Sequence, residues 1–146
     1  MGFRQIFYGV LIWTIFVYAL RRGGWEERLA IAGIIANAYL TVLVASPKAI
    51  LFNHIETPIL LVDLGLLALL LFISLRSEKY WPLWITAMHA LTTLAHLSPL
   101  VPHMQPLGYW RAAASWSWPI LIVLVFGIRA HHRERSIYFR HQGRTR

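Results

Sequence analysis

Asp63 stands in the run "PILLVDLGLLALLLF", residues 58–72, with no other charged residue in it. A carboxylate placed mid-helix in lipid costs about 2.5–3.5 kcal/mol, and such residues typically mark a functional pathway or face a specific partner. Glu56 lies seven residues earlier, close to two helical turns, so the two acids share a helix face. The stretch "MHALTTLAHLSPL", residues 88–100, supplies matching bases. Thr86, His89, Thr93 and His96 recur at spacings of three, four and three, which is one stripe of a helix, and His103 continues the count into the following loop. A histidine beside an aspartate forms a neutral hydrogen bond or an ion pair, and a proton moves between the two forms. Glu56, Asp63, His89, His96 and His103 therefore form a candidate polar seam, which reads either as a buried latch that fixes helix register or as a proton-linked or ion-pathway site. No catalytic constellation accompanies it: the chain has no glycine-rich phosphate loop, no GxSxG and no HExxH. It is read as a non-enzymatic protein.

The elements that position these residues follow from composition. Of 146 residues, 58% are hydrophobic and 14% charged, against roughly 45–50% and 25% in soluble globular domains. Such a chain lacks the polar surface to face water, and lipid is the alternative solvent. There is no cysteine, which excludes disulfides, thiolate metal sites and cysteine nucleophiles. A bilayer-spanning helix needs about 20 mostly apolar residues. Five segments approach this: Phe3 to Leu20, Leu29 to Ser46, Thr57 to Leu75, Tyr80 to Leu97, and Tyr109 to Ile128 with Pro119 in its middle. The count falls to four if the first, short run lies in the interface. The expected fold is an all-α polytopic transmembrane helix bundle over residues 1–128, followed by a basic cytoplasmic tail over 129–146.

Charge sets the orientation. The net charge is +8, and a basic excess is what cytoplasmic loops of membrane proteins carry, so no nucleic-acid partner is expected. With the C-terminus inside, the inner face holds Arg21, Arg22, Arg28, Arg76, Lys79, Arg129, Arg133, Arg135, Arg140, Arg144 and Arg146. The outer face holds only Arg4, Lys48 and Arg111. The N-terminus is placed outside and the C-terminus inside. Trp25, Tyr80, Trp81, Trp84, Tyr109 and Trp110 near the helix ends read as an interfacial aromatic belt, and the arginine-rich tail as a contact for anionic lipid.

The third and fourth helices are joined by the four-residue turn "RSEK" and must be antiparallel neighbours. Folding the hairpin there puts Asp63 level with His96 and Glu56 level with His103, while His89 lies ~10 Å deeper at 1.5 Å per residue. His96 is thus the expected partner of Asp63. His89, flanked by Thr86 and Thr93, is expected to hydrogen-bond to Asn37, the one amide of the second helix. Arg111 either snorkels outward or pairs with Glu56. Small residues four apart in the second helix (Ala32 with Ala36, Gly33 with Asn37) suit close helix packing or an oligomer interface.

Two ligand readings compete with the seam. A single axial histidine suffices for haem, and His89 with Trp116 and Trp118 is the set that would hold haem or another hydrophobic small molecule. A bis-histidine haem is not expected, because no other span carries a histidine. A zinc site from His54, Glu56, His96 and His103 has suitable ligand types but no recognisable spacing, so no metal is assigned.

The run "YWPLWITAMHALTTLAHL" followed by a fifth span ending "IRAHHR" resembles small, uncharacterised multi-span membrane proteins of alphaproteobacteria. The likeness covers roughly the last half of the chain. It implies a bacterial inner membrane and no activity. Five spans, this length and the abundance of tryptophan are also similar to the tryptophan-rich sensory protein family. The motifs of that family's helices are absent, and its porphyrin site is not carried over. The functional expectation is an oligomeric pore-like or sensing element, or an accessory subunit of a larger membrane complex.

Overall fold

The computed structural model describes residues 3–45, 57–100 and 115–142. They are all-helical, with no strand among the described residues. The elements are α1 (Phe3–Arg22), α2 (Trp25–Val44), α3 (Thr57–Arg76), α4 (Trp81–Leu94), a 3-10 turn (Ala95–Leu100) and α5 (Ser117–Gln142). Helix α2 packs on α1 and α3, α3 on α4, and α4 on α5. Helix α5 returns to α1, closing a ring across which α2 also meets α5. Two of the helices, α2 and α3, are long and apolar enough to cross a membrane.

The helix ends have local causes. Gly23 ends α1, donating its N–H to Ala19 O at 2.8 Å, and a Cβ at Gly23 would come 2.8 Å from that carbonyl. Only glycine fits this turn. Helix α2 begins at Trp25, earlier than Leu29, because Glu27 accepts the Gly24 N–H at 2.8 Å and caps it. Helix α4 stops short of Leu97 and tightens into the 3-10 turn that carries Pro99, which cannot donate to an α-helical ladder.

Helix α5 departs furthest from expectation. Pro119 is its third residue, not a mid-helix kink. In the first turn the missing N–H has no intrahelical partner to lose. The helix then runs without a break through the boundary expected between residues 128 and 129. Residues 109–114, the start of the expected fifth span, lie outside the described residues.

The bundle is layered. Ile31, Leu70, Ile73, Ile85, Leu124 and Ile128 form its apolar middle, each at most 1% exposed. Polar side chains are also buried: Asp63, His89, Thr93 and His96 on one side of this layer, Glu26 and Glu27 on the other, and Ser74 within it. The outside is apolar, with Phe7, Val10, Val42, Leu61, Trp84 and Phe126 each more than half exposed. Polar groups inside and large apolar groups outside is the reverse of what water selects.

Helices α4 and α5 approach through Gly127, where an added Cβ would lie 2.9 Å from three ring atoms of Trp81. The ring is rigid and half-buried and cannot move aside by rotating one bond. Gly127→Ala is expected to destabilise the bundle by about 1–3 kcal/mol through overpacking. A detergent-unfolding titration followed by circular dichroism checks this, and an unchanged midpoint would refute it.

Candidate functional site

Asp63 lies in the second turn of α3, with α2 on one flank and α4 on the other. Its burial leaves 6% of its surface exposed. An ionised carboxylate accepts at both oxygens, and both are used. His96 Nε2 is 2.7 Å from Oδ2, and Asn37 Nδ2 donates to Oδ1 at 3.0 Å. The main-chain carbonyl of Asp63 is 3.0 Å from His89 Nε2. A carbonyl only accepts, so His89 carries its proton on Nε2. One residue thus gathers two histidines and an amide from α2, α4 and the 3-10 turn.

The expected hydrogen bond between His89 and Asn37 is not formed. Helix α3 stands between α2 and α4, and the Asp63 carboxylate, a stronger acceptor than a neutral imidazole nitrogen, draws the Asn37 amide N–H to itself. Thr93 is buried and returns its hydroxyl to His89 O at 3.0 Å, a contact within its own helix. Thr86 lies off the site and meets Ser74 at 2.8 Å, joining α3 to α4. Glu56, His103, Arg111 and His54 lie outside the described residues.

Beside this network is a cavity of about 230 Å³. Every helix contributes to it: Tyr8, Asn37 and Thr41, Asp63, His89, and Ser117 all line its wall. Two buried wall atoms, Asn37 Oδ1 and Thr41 Oγ1, have no hydrogen-bond partner among the described residues. Orphaned polar atoms on a polar cavity are where water or a small polar guest binds. The volume is below the ~300–1,000 Å³ usual for drug-sized ligands.

The ligand set His89, Trp116 and Trp118 is not gathered around this cavity. Trp118 packs on Phe7 and Tyr8, with ring centroids 6.0 and 5.7 Å apart, and Trp116 is 38% exposed. Neither tryptophan lines the cavity with His89. The cause is the start of α5 at Ser117, which sets both indoles at a helix end and not deep in a span. Among the described residues, no three His, Asp or Glu side chains converge as a metal site.

A second polar cluster lies outside the seam expected from the sequence. At the opposite end of the bundle, Lys79 Nζ reaches Glu27 Oε1 at 2.9 Å, Glu26 Oε2 at 3.3 Å and His131 Nδ1 at 3.2 Å. An ammonium has three protons, and these three acceptors match them. Arg22 also meets His132. The sequence signal for this cluster is two acids in the first turn of α2 and a lysine in the α3–α4 turn. In an up-and-down bundle both turns lie at the same end. His131 belongs to the expected tail, and only the uninterrupted α5 brings it there.

Comparison with known protein families, curated proteins and solved structures finds no match for this chain.

Proposed function

We propose that this chain is a non-enzymatic, five-span protein of the bacterial inner membrane, N-out and C-in, that works as an oligomeric sensing element through its Asp63 network. The observation that carries the reading is a buried carboxylate held by His96 and Asn37 beside a cavity with two orphaned polar atoms. Keeping such a carboxylate among apolar helices is costly, and a proton shared with His96 gives it a use.

The layering favours sensing over conduction. The network sits toward the end where α3 begins, which is the outer face in this orientation. The apolar middle of Ile31, Leu70, Ile73, Ile85 and Leu124 separates it from the Lys79 cluster. Among the described residues, the layer between this network and the Lys79 cluster holds the Ser74–Thr86 hydroxyl contact and otherwise the apolar side chains just named. Partner copies or other membrane subunits would read the change.

The test uses the full chain in liposomes with a trapped pH dye, alongside its mass in mild detergent by light scattering. Wild-type protein is expected to add no proton leak beyond that of empty liposomes. Acidifying the outer solution is expected to shift its tryptophan fluorescence, and Asp63→Asn to abolish that shift. A steady proton flux that Asp63→Asn removes would replace the sensor by a pore. A detergent peak carrying other polypeptides would assign the chain to a larger complex.

A further inference from the structure

At the Lys79 end, α1, the start of α2 and His131 enclose a groove of about 600 Å³. Its floor is apolar, made by Phe16, Leu20, Leu29 and Ala32. Its rim carries Trp25, Arg28 and His131. The floor opens onto the outer surface of α1, where Val17 and Leu20 are each 46% exposed. The groove is therefore continuous with whatever solvates that face.

Glu26 and Glu27 lie close by and share Lys79, which leaves one negative charge that Arg28 offsets, so the positive excess of this end comes from the exposed arginines around the groove. Arg28 directs Nε to Ala19 O at 3.4 Å and Nη2 to Leu20 O at 2.9 Å. A guanidinium has five N–H donors, so these two contacts fix the group and leave the others for a ligand. Arg21, Arg22 and Arg129 are exposed at the same end. Trp25, 48% exposed, stands where an indole marks the headgroup level.

We infer that this groove is a discrete binding site for one acidic glycerophospholipid, its phosphate against Arg28 and an acyl chain along the Phe16–Ala32 floor. Charge complementarity and the apolar floor select this occupant, since basic pockets between helices near the cytoplasmic face suit anionic headgroups. The site differs from diffuse attraction to the arginines of α5, which needs no floor. It rests on the membrane reading above.

The experiment reconstitutes the full chain in vesicles containing brominated phosphatidylglycerol or brominated phosphatidylcholine. Quenching of Trp25 is read as the difference between wild type and Trp25→Phe. Phosphatidylglycerol is expected to be favoured at Trp25 roughly five-fold, the equivalent of about 1 kcal/mol for one basic residue. Arg28→Gln removes the charge, and Ala32→Leu fills the floor while leaving Arg28 in place. Both are expected to lose the preference with helicity unchanged. Equal quenching by the two lipids in wild type, or a full preference retained by either variant, would overturn the site. Absence of quenching by both lipids, with the protein recovered in water without detergent, would sink the membrane reading itself.

Discussion

Lys79→Met is expected to destabilise the bundle by about 3 kcal/mol, the lower end of the cost of removing one partner from a buried ion pair, because Glu27 is fully buried while the Lys79 side chain is 23% exposed. Glu27 is 0% exposed, and its remaining partner would be the Gly24 N–H. Glu26, 8% exposed, would lose its cation in the same step. The loss should appear as a lower midpoint in a detergent-unfolding titration. It should come with proteolysis beyond Arg129, since His131 also loses its donor. The combination Lys79→Met, Glu26→Gln, Glu27→Gln is expected to recover most of the stability. An amide oxygen at position 27 still accepts the Gly24 N–H, and no charge stays buried. If Lys79→Met unfolds at the wild-type midpoint, the cluster is only a solvated surface contact. Surface pairs of that kind contribute about 0–1 kcal/mol.

The second large effect is expected at His96. This ring is 2% exposed and supplies the closest contact to Asp63, at 2.7 Å. His96→Leu leaves the buried Oδ2 without that donor, and the expected cost is about 3 kcal/mol, the lower end for a broken buried pair because the adjoining cavity admits water. Asp63→Leu alone strands the groups of His96 and Asn37 that face the carboxylate. The double variant Asp63→Leu, His96→Leu removes both ends and should cost less than the two single changes together. The coupling read from this cycle is expected to be about 1–3 kcal/mol, as for residues sharing one polar network. Additive losses would mean that the two side chains do not depend on each other. Asp63→Asn retains an acceptor for Asn37 and shape in the site. It therefore separates the loss of the proton-holding carboxylate from loss of the fold.

The contact between Asp63 and His96 was legible because its cause is local. A carboxylate in a run of leucines, histidines at helical spacing and a short turn between two helices leave few ways to bring acid and base to one depth. The pairing of Asp63 with His96 follows from that register. The third partner does not. Whether Asn37 faces His89 or Asp63 depends on the rotation of α2 and on which helix lies between the other two. Spacing within α4 carries no information about either.

Composition and hydropathy thus determined the class: an all-helical chain with apolar outer faces and buried ionisable groups. The lengths of the apolar runs located α1 to α4 to within a few residues, because each run ends at charged or proline-bearing turns. The tertiary structure alone decided the ring order, the cavity shared by five helices, the place of Trp118 against α1 and the use of His131 as an acceptor for Lys79. The physical reason is the same in each case. Apolar exterior residues set no rotational preference when every outward direction meets similar surroundings, so helix rotation is fixed by polar pairs and small-residue contacts between segments distant in sequence.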